Sequence, residues 1–211
     1  MSIPTAAKVA SGLGAAGAIG GGALLSKPYL FPDKPTLRSV IEGDKWKLLT
    51  SSDEEKIKTV LEAYKKQSTH PFTNFTGSET NASVKLLGEC KKLYEKPEDT
   101  SDKEPSLKKL KRWCVIPKTA SERLRDLNIT PFSTEEPSTS TNEDSSWVQK
   151  SKKHSNDNKD KFSGLTISGN ADHEKAKQLR THCKTKLDTK SFEDSFDDIL
   201  KKVEIWCSPD K

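Results

Sequence analysis

Two octapeptides, LKKLKRWC at 107–114 and LKKVEIWC at 200–207, share five of eight residues and both end in Trp-Cys. Sliding the chain by 93 residues also superposes Cys90 on Cys183, Leu86 on Leu179, Lys91 on Lys184 and Leu110 on Val203. The spacing from Cys90 to Cys114, 24 residues, recurs between Cys183 and Cys207. A repeat of this length is a duplicated domain, because solenoid units are shorter and more numerous. The sequence places the two copies at residues 44–129 and 147–211. Trp46 and Trp147 read as the first landmark of each copy, with the second copy shortened ahead of its first cysteine.

Composition gives the cysteines their weight. Only 31% of the 211 residues are hydrophobic and 32% are charged, so core material is thin. Small domains with so little to bury commonly rely on covalent staples. Four cysteines allow three connectivities; the symmetry of the repeat selects Cys90–Cys114 and Cys183–Cys207. Each bridge closes a loop of about 25 residues, worth about 3.5 kcal/mol in the chain-entropy model. The neighbouring Trp113 and Trp206 are expected to cover the bridges and supply aromatic burial. A zinc site is the poorer reading, since no cysteine pair has the two-to-four-residue spacing of structural zinc knuckles. Reduced, buried thiols stay open as an alternative. Disulfides would place the chain in an oxidising compartment.

The expected fold is mainly α: two small helical modules, each with one disulfide, behind an apolar N-terminal helix. Ile57, Val60, Leu61 and Tyr64 recur at helical spacing after a capping-box pattern at 51–54. Leu86, Leu87, Cys90, Leu93 and Tyr94 form a second stripe, and Leu107, Leu110 and Trp113 a third. A short helix from Thr119 closes the first copy in this reading. In copy two, Ala176, Leu179, Cys183 and Leu187 mark one helix; Phe192, Phe196, Ile199, Leu200, Val203 and Trp206 mark another, expected to start at Ser191. The counterpart of the first helix looks degraded, because 151–161 is charged and stripeless. Residues 130–146, rich in Ser, Thr and Glu, read as a disordered linker.

Residues 1–28 read as a membrane anchor or signal segment. Within them, 9–25 carry no charge, and a helix there would align Ala10, Gly14, Ala18 and Gly22 on a small-residue face suited to membrane packing. A single transmembrane span, a cleaved signal peptide and a non-inserting tail are the three readings, and the membrane is the partner that the first implies.

Several functions are argued against. The net charge of +5 is interspersed rather than gathered into a stripe, so nucleic acid is not an expected partner. The basic runs KKLKR at 108–112 and KSKKH at 150–154 read as solvated faces. His70, His154, His173 and His182 lie in no nucleophile or metal-ligand motif, and no phosphate-binding glycine loop follows a strand. No cofactor, metal or enzyme activity is expected. Asn74, Asn81 and Asn128 match the glycosylation pattern, which matters only in a eukaryotic secretory pathway.

The Gly/Ala-rich N-terminus, the segment opening at Trp46 and the LKKxxxWC terminus followed by VIPKTASERL resemble the large paralogous family of surface and membrane proteins of hemotropic mycoplasmas. The resemblance implies a non-enzymatic protein, membrane-anchored or secreted, in contact with host surface molecules or antibodies and open to antigenic variation. It supplies no site residues. The alternative is an intracellular basic protein contacting nucleic acid or the inner membrane face.

Overall fold

The helices this sequence can form are short, and isolated helices of 7–16 residues are marginal in water, so packing must hold them. The computed structural model describes residues 34–138, 143–157 and 159–210. Eight helices lie among them: α1 Leu37–Gly43, α2 Glu54–Lys65, α3 Ala82–Tyr94, α4 Lys103–Trp113, α5 Ala120–Asp126, α6 Ser145–Asn156, α7 Asp172–Leu187 and α8 Phe196–Trp206. The chain is mostly α-helical, and the described residues from Pro35 onward belong to one unit.

Both disulfides are formed, Cys90–Cys114 and Cys183–Cys207, with Cα atoms 5.3 and 5.7 Å apart. Each joins a middle helix to the end of the helix that follows it. Trp113 and Trp206 beside them are buried, as are Trp46 and Trp147.

The two copies repeat one packing plan. In the first, α1 packs on α3 and α4, α2 on α3, and α3 on α4. In the second, α5 packs on α7 and α8, α6 on α7, and α7 on α8. Backbone hydrogen bonds repeat with it. Leu37 N–H donates to Lys96 O and Ala120 N–H to Thr189 O, both at 2.9 Å. Leu49 N–H donates to Cys114 O and Phe132 N–H to Cys207 O, again both at 2.9 Å. Isolated antiparallel bridges pair Thr36 with Pro97 and Thr119 with Lys190. Just beyond each short helix one residue takes the left-handed conformation that ends helices, Lys45 at φ 59° and Asn128 at φ 61°.

The helix over 120–126, which the sequence places at the end of the first copy, therefore opens the second. Its start is well specified: Thr119 accepts from Glu122 N–H, and Glu122 reaches back to Thr119 N–H in a capping box. The offset between equivalent residues grows from 83 at α1 and α5 to 93 at the last helices, because the intervening loops differ in length. A single fixed shift finds only the last two helices of each copy.

The described part of the expected linker makes specific contacts. Phe132 meets the Trp147 ring edge-on at 5.3 Å. Trp147 Nε1 donates to Ser133 O at 2.9 Å. Arg180 pairs with Glu143 at 2.9 Å, both side chains buried, and Arg180 Nη1 also donates to Thr134 O at 3.2 Å. These partners offset the cost of burying charge.

One expectation is corrected. No helix among the described residues is long and apolar enough to cross a membrane, which overturns the transmembrane helix. The segment on which it rested, 1–28 with Ala10, Gly14, Ala18 and Gly22, lies outside the described residues.

Replacing Cys183 and Cys207 together by Ala is expected to lower unfolding free energy by about 3.5 kcal/mol, read as a fall in the urea midpoint. A change under about 1 kcal/mol would show that packing alone holds the copy.

Candidate functional site

Two places in the fold collect polar groups that packing alone does not require. The first is the seam between the copies. Trp46 follows the left-handed Lys45, where copy two has Ile129; Trp46 N–H donates to Ile41 O, and Ile129 N–H to Leu124 O. From copy two, the Arg123 guanidinium lies 4.8 Å and the Lys118 ammonium 5.4 Å from the Trp46 ring centre. Such stacking is attractive because the ring face carries negative quadrupole density. Asp44 binds Lys111 at 2.8 Å and Arg123 at 2.5 Å. Burial alone would push the Asp44 carboxyl up; hydrogen bonds and charge from Lys111 and Arg123 outweigh it and hold the carboxyl below its ordinary range. A cavity of about 430 Å³ opens here, with Trp46, Lys111, Arg112 and Arg123 facing Asp194 and Phe196. Arg112 crosses the seam as well, donating from Nε to Phe192 O at 2.8 Å and pairing with Asp194. Its cations are largely committed to internal partners, so this site holds the copies together.

The second place is the core of copy two. In α2 the inward residues are Ile57, Val60, Leu61 and Tyr64. In α6 the inward residues have the same spacing but are Trp147, Lys150, Ser151 and His154. Tyr64 meets Trp113 edge-on at 4.9 Å, and His154 meets Trp206 edge-on at 4.7 Å. Tyr64 stacks on Phe72, and His154 stacks on Phe162. The sequence reading missed α6 because its core stripe is polar. The remaining signal was Trp147 three, four and seven residues ahead of Lys150, Ser151 and His154.

Each substitution has to be satisfied locally. Lys150 Nζ donates to Ile205 O at 2.6 Å and to Asp210 at 2.7 Å. Ser151 donates to Val148 O at 2.9 Å. Tyr64 uses its hydroxyl to tie the following loop, accepting from Phe72 N–H at 3.1 Å. The shorter His154 lacks such a bond: its Nε2 is buried without a partner, as is that of His182, whose ring centre lies 4.7 Å from that of Phe162. Burial is the first cause that holds both imidazoles below their ordinary proton affinity; Lys161 and His182 add to it at His154, against a weaker pull from Asp157, and Lys186 adds at His182.

The sequence-predicted residues sort accordingly. The four cysteines pair within their copies, and none is free. Trp46 sits at the seam and Trp147 in the first turn of α6, so they are not equivalent landmarks. His70 is exposed and lies over Tyr64 at 5.1 Å, while His173 is in the first turn of α7. Among the described residues, no group of three His, Cys, Asp or Glu is placed to hold a metal. No family model matches the chain, and no curated protein or solved structure matches it.

Two outcomes test these sites. Asp44→Ala removes one carboxylate partner of the buried Arg123, which keeps the backbone carbonyl at 44 and Asp126, and is expected to cost about 1 kcal/mol of stability, measured by urea unfolding. The second concerns acid. Folded pKa values below the ordinary histidine value near 6.5 mean that the unfolded chain binds more protons. This contribution is complete above about pH 6.5 and is lost as pH falls through the lower folded values. His154→Phe, which removes one of these groups, is expected to shrink the fall in urea midpoint between about pH 7 and pH 5. An unchanged slope would show that other groups govern it.

Proposed function

We propose that this chain is an exported, non-enzymatic surface protein whose two disulfide-closed copies present a stable exterior to host molecules or host antibodies. The observation that supports it most is the pairing of all four cysteines in a chain with little core to spare. Structural disulfides persist outside the reducing cytosol. The uncharged run at 9–25, preceded by Lys8, supports an export signal. The resemblance to the surface proteins of hemotropic mycoplasmas points the same way. Antigenic variation suits an architecture in which bridges and buried tryptophans carry stability, leaving the outer faces free to change.

Counting thiols on denatured protein from intact cells, trapped at harvest, tests the proposal. The expected count is zero, together with cleavage by protease added outside the cells. Four free thiols and protection from protease would overturn it in favour of an intracellular binding role.

A further inference from the structure

The LKKLKRWC helix carries charge that the seam does not use. Against the 67–71 loop, α4 walls a cavity of about 430 Å³, with Lys108, Lys109 and Arg112 on one side and Ser68, Thr69 and His70 on the other. Asp194 is the acid lining this cavity, and Arg112 already binds it. Among the described residues the side chains of Lys108 and Lys109 make neither an ion pair nor a hydrogen bond, and Glu104, one turn before Lys108, does not pair with it.

Copy two serves as a built-in comparison. Its α8 has Lys201 and Lys202 at the equivalent positions. There Lys202 is bound by Asp198 at 2.7 Å, one turn earlier. In α4 the place of Asp198 is taken by Pro105, and the place of Ile205 by Arg112. The position of Lys109 is thus neutralised in copy two and left cationic in copy one, while Lys201, like Lys108, has no side-chain partner. Adjacent unpaired cations repel, and a bound anion relieves that cost.

We propose that this cavity binds the sulfate or carboxylate groups of an acidic oligosaccharide. Lys108 and Lys109 provide the charge-assisted donors such oxyanions need, and Arg112, held by Phe192 O, Gln67 and Asp194, forms the wall beside them. The hydroxyls of Ser68 and Thr69 and the exposed imidazole of His70 supply partners for sugar hydroxyls. Gln67 accepts from Arg112 Nη2 at 2.9 Å, which leaves its amide N–H groups to donate. The volume falls within the usual range for ligand pockets, about 300–1,000 Å³. Nucleic acid fits less well: Trp113 is buried and offers no face for base stacking, and two free lysines make few phosphate contacts. The inference names a ligand for the surface role and rests on that role only for access to such ligands; binding in solution and the thiol count fail separately.

The test is calorimetric titration of the full chain at physiological salt with four probes: a heparin-derived sulfated hexasaccharide, a hyaluronan hexasaccharide, a desulfated uncharged hexasaccharide, and an oligothymidine. One or both acidic hexasaccharides are expected to bind and the uncharged one not; which acid binds distinguishes sulfate from carboxylate. K108Q/K109Q is expected to weaken binding at least about tenfold. Pro105→Asp, which restores the carboxylate found in copy two, is expected to weaken it as well. K201Q/K202Q in copy two is expected to leave it unchanged. On the unaltered protein, amide shifts at 67–71 and 105–112 are expected to move on titration, a readout that no variant's folding affects. Failure of both acidic hexasaccharides to bind, tighter binding of the oligothymidine, an equal loss in K201Q/K202Q, or shifts confined to α8 would each overturn the proposal.

Discussion

Each copy depends on a covalent tie at the end of its last helix. The second cysteine of each pair joins that helix to the middle one, and its carbonyl accepts from the segment after the short helix: Cys114 from Leu49, Cys207 from Phe132. The tryptophan one residue earlier fills the space against α2 or α6. Three segments therefore converge on two adjacent residues. With helices this short and so few large apolar side chains, restricting the unfolded chain supplies what additional burial would supply in a larger domain.

Once the frame is covalently closed, residues inside it have room to diverge. Copy one keeps an aliphatic and aromatic interior, and its Tyr64 hydroxyl ties down a loop. Copy two buries Lys150, Ser151 and His154 at the same positions, with carbonyls and Asp210 satisfying the lysine and leaving an imidazole nitrogen without a partner. The outer faces diverge in the opposite sense. At one helix position Lys109 of the copy with the apolar interior is unpaired, while its counterpart Lys202 in the copy with the polar interior is paired with Asp198. The two halves share a scaffold but differ in which polar groups they bury and in whether Lys109 or its counterpart Lys202 is paired.

Much of this architecture was legible in the sequence. The equal cysteine spacing specified both bridges, and the stripes around Leu86, Leu107, Leu179 and Val203 located α3, α4, α7 and α8. What stayed hidden has identifiable causes. Loop lengths differ between copies, so α5 at 120–126 does not align with α1 under the shift that aligns the cysteines. The α6 stripe escaped a search for apolar periodicity because its members are Lys, Ser and His. Residues 130–146 have the composition of a linker, yet Glu143 is buried by an arginine that lies 37 positions away.

By itself the sequence determined where α2, α3, α4, α5, α7 and α8 lie, which cysteines pair, and that one unit occurs twice, since these follow from local periodicity and spacing along the chain. Only the tertiary structure decided which polar side chains are interior and which charges stay uncompensated outside. Those outcomes depend on partners distant in sequence: Ile205 and Asp210 for Lys150, Asp44 for Arg123, and Glu143 for Arg180. A lysine in a helix has the same local chemistry whether it meets a carbonyl, a carboxylate or water, and only the packing of the other helices selects among them.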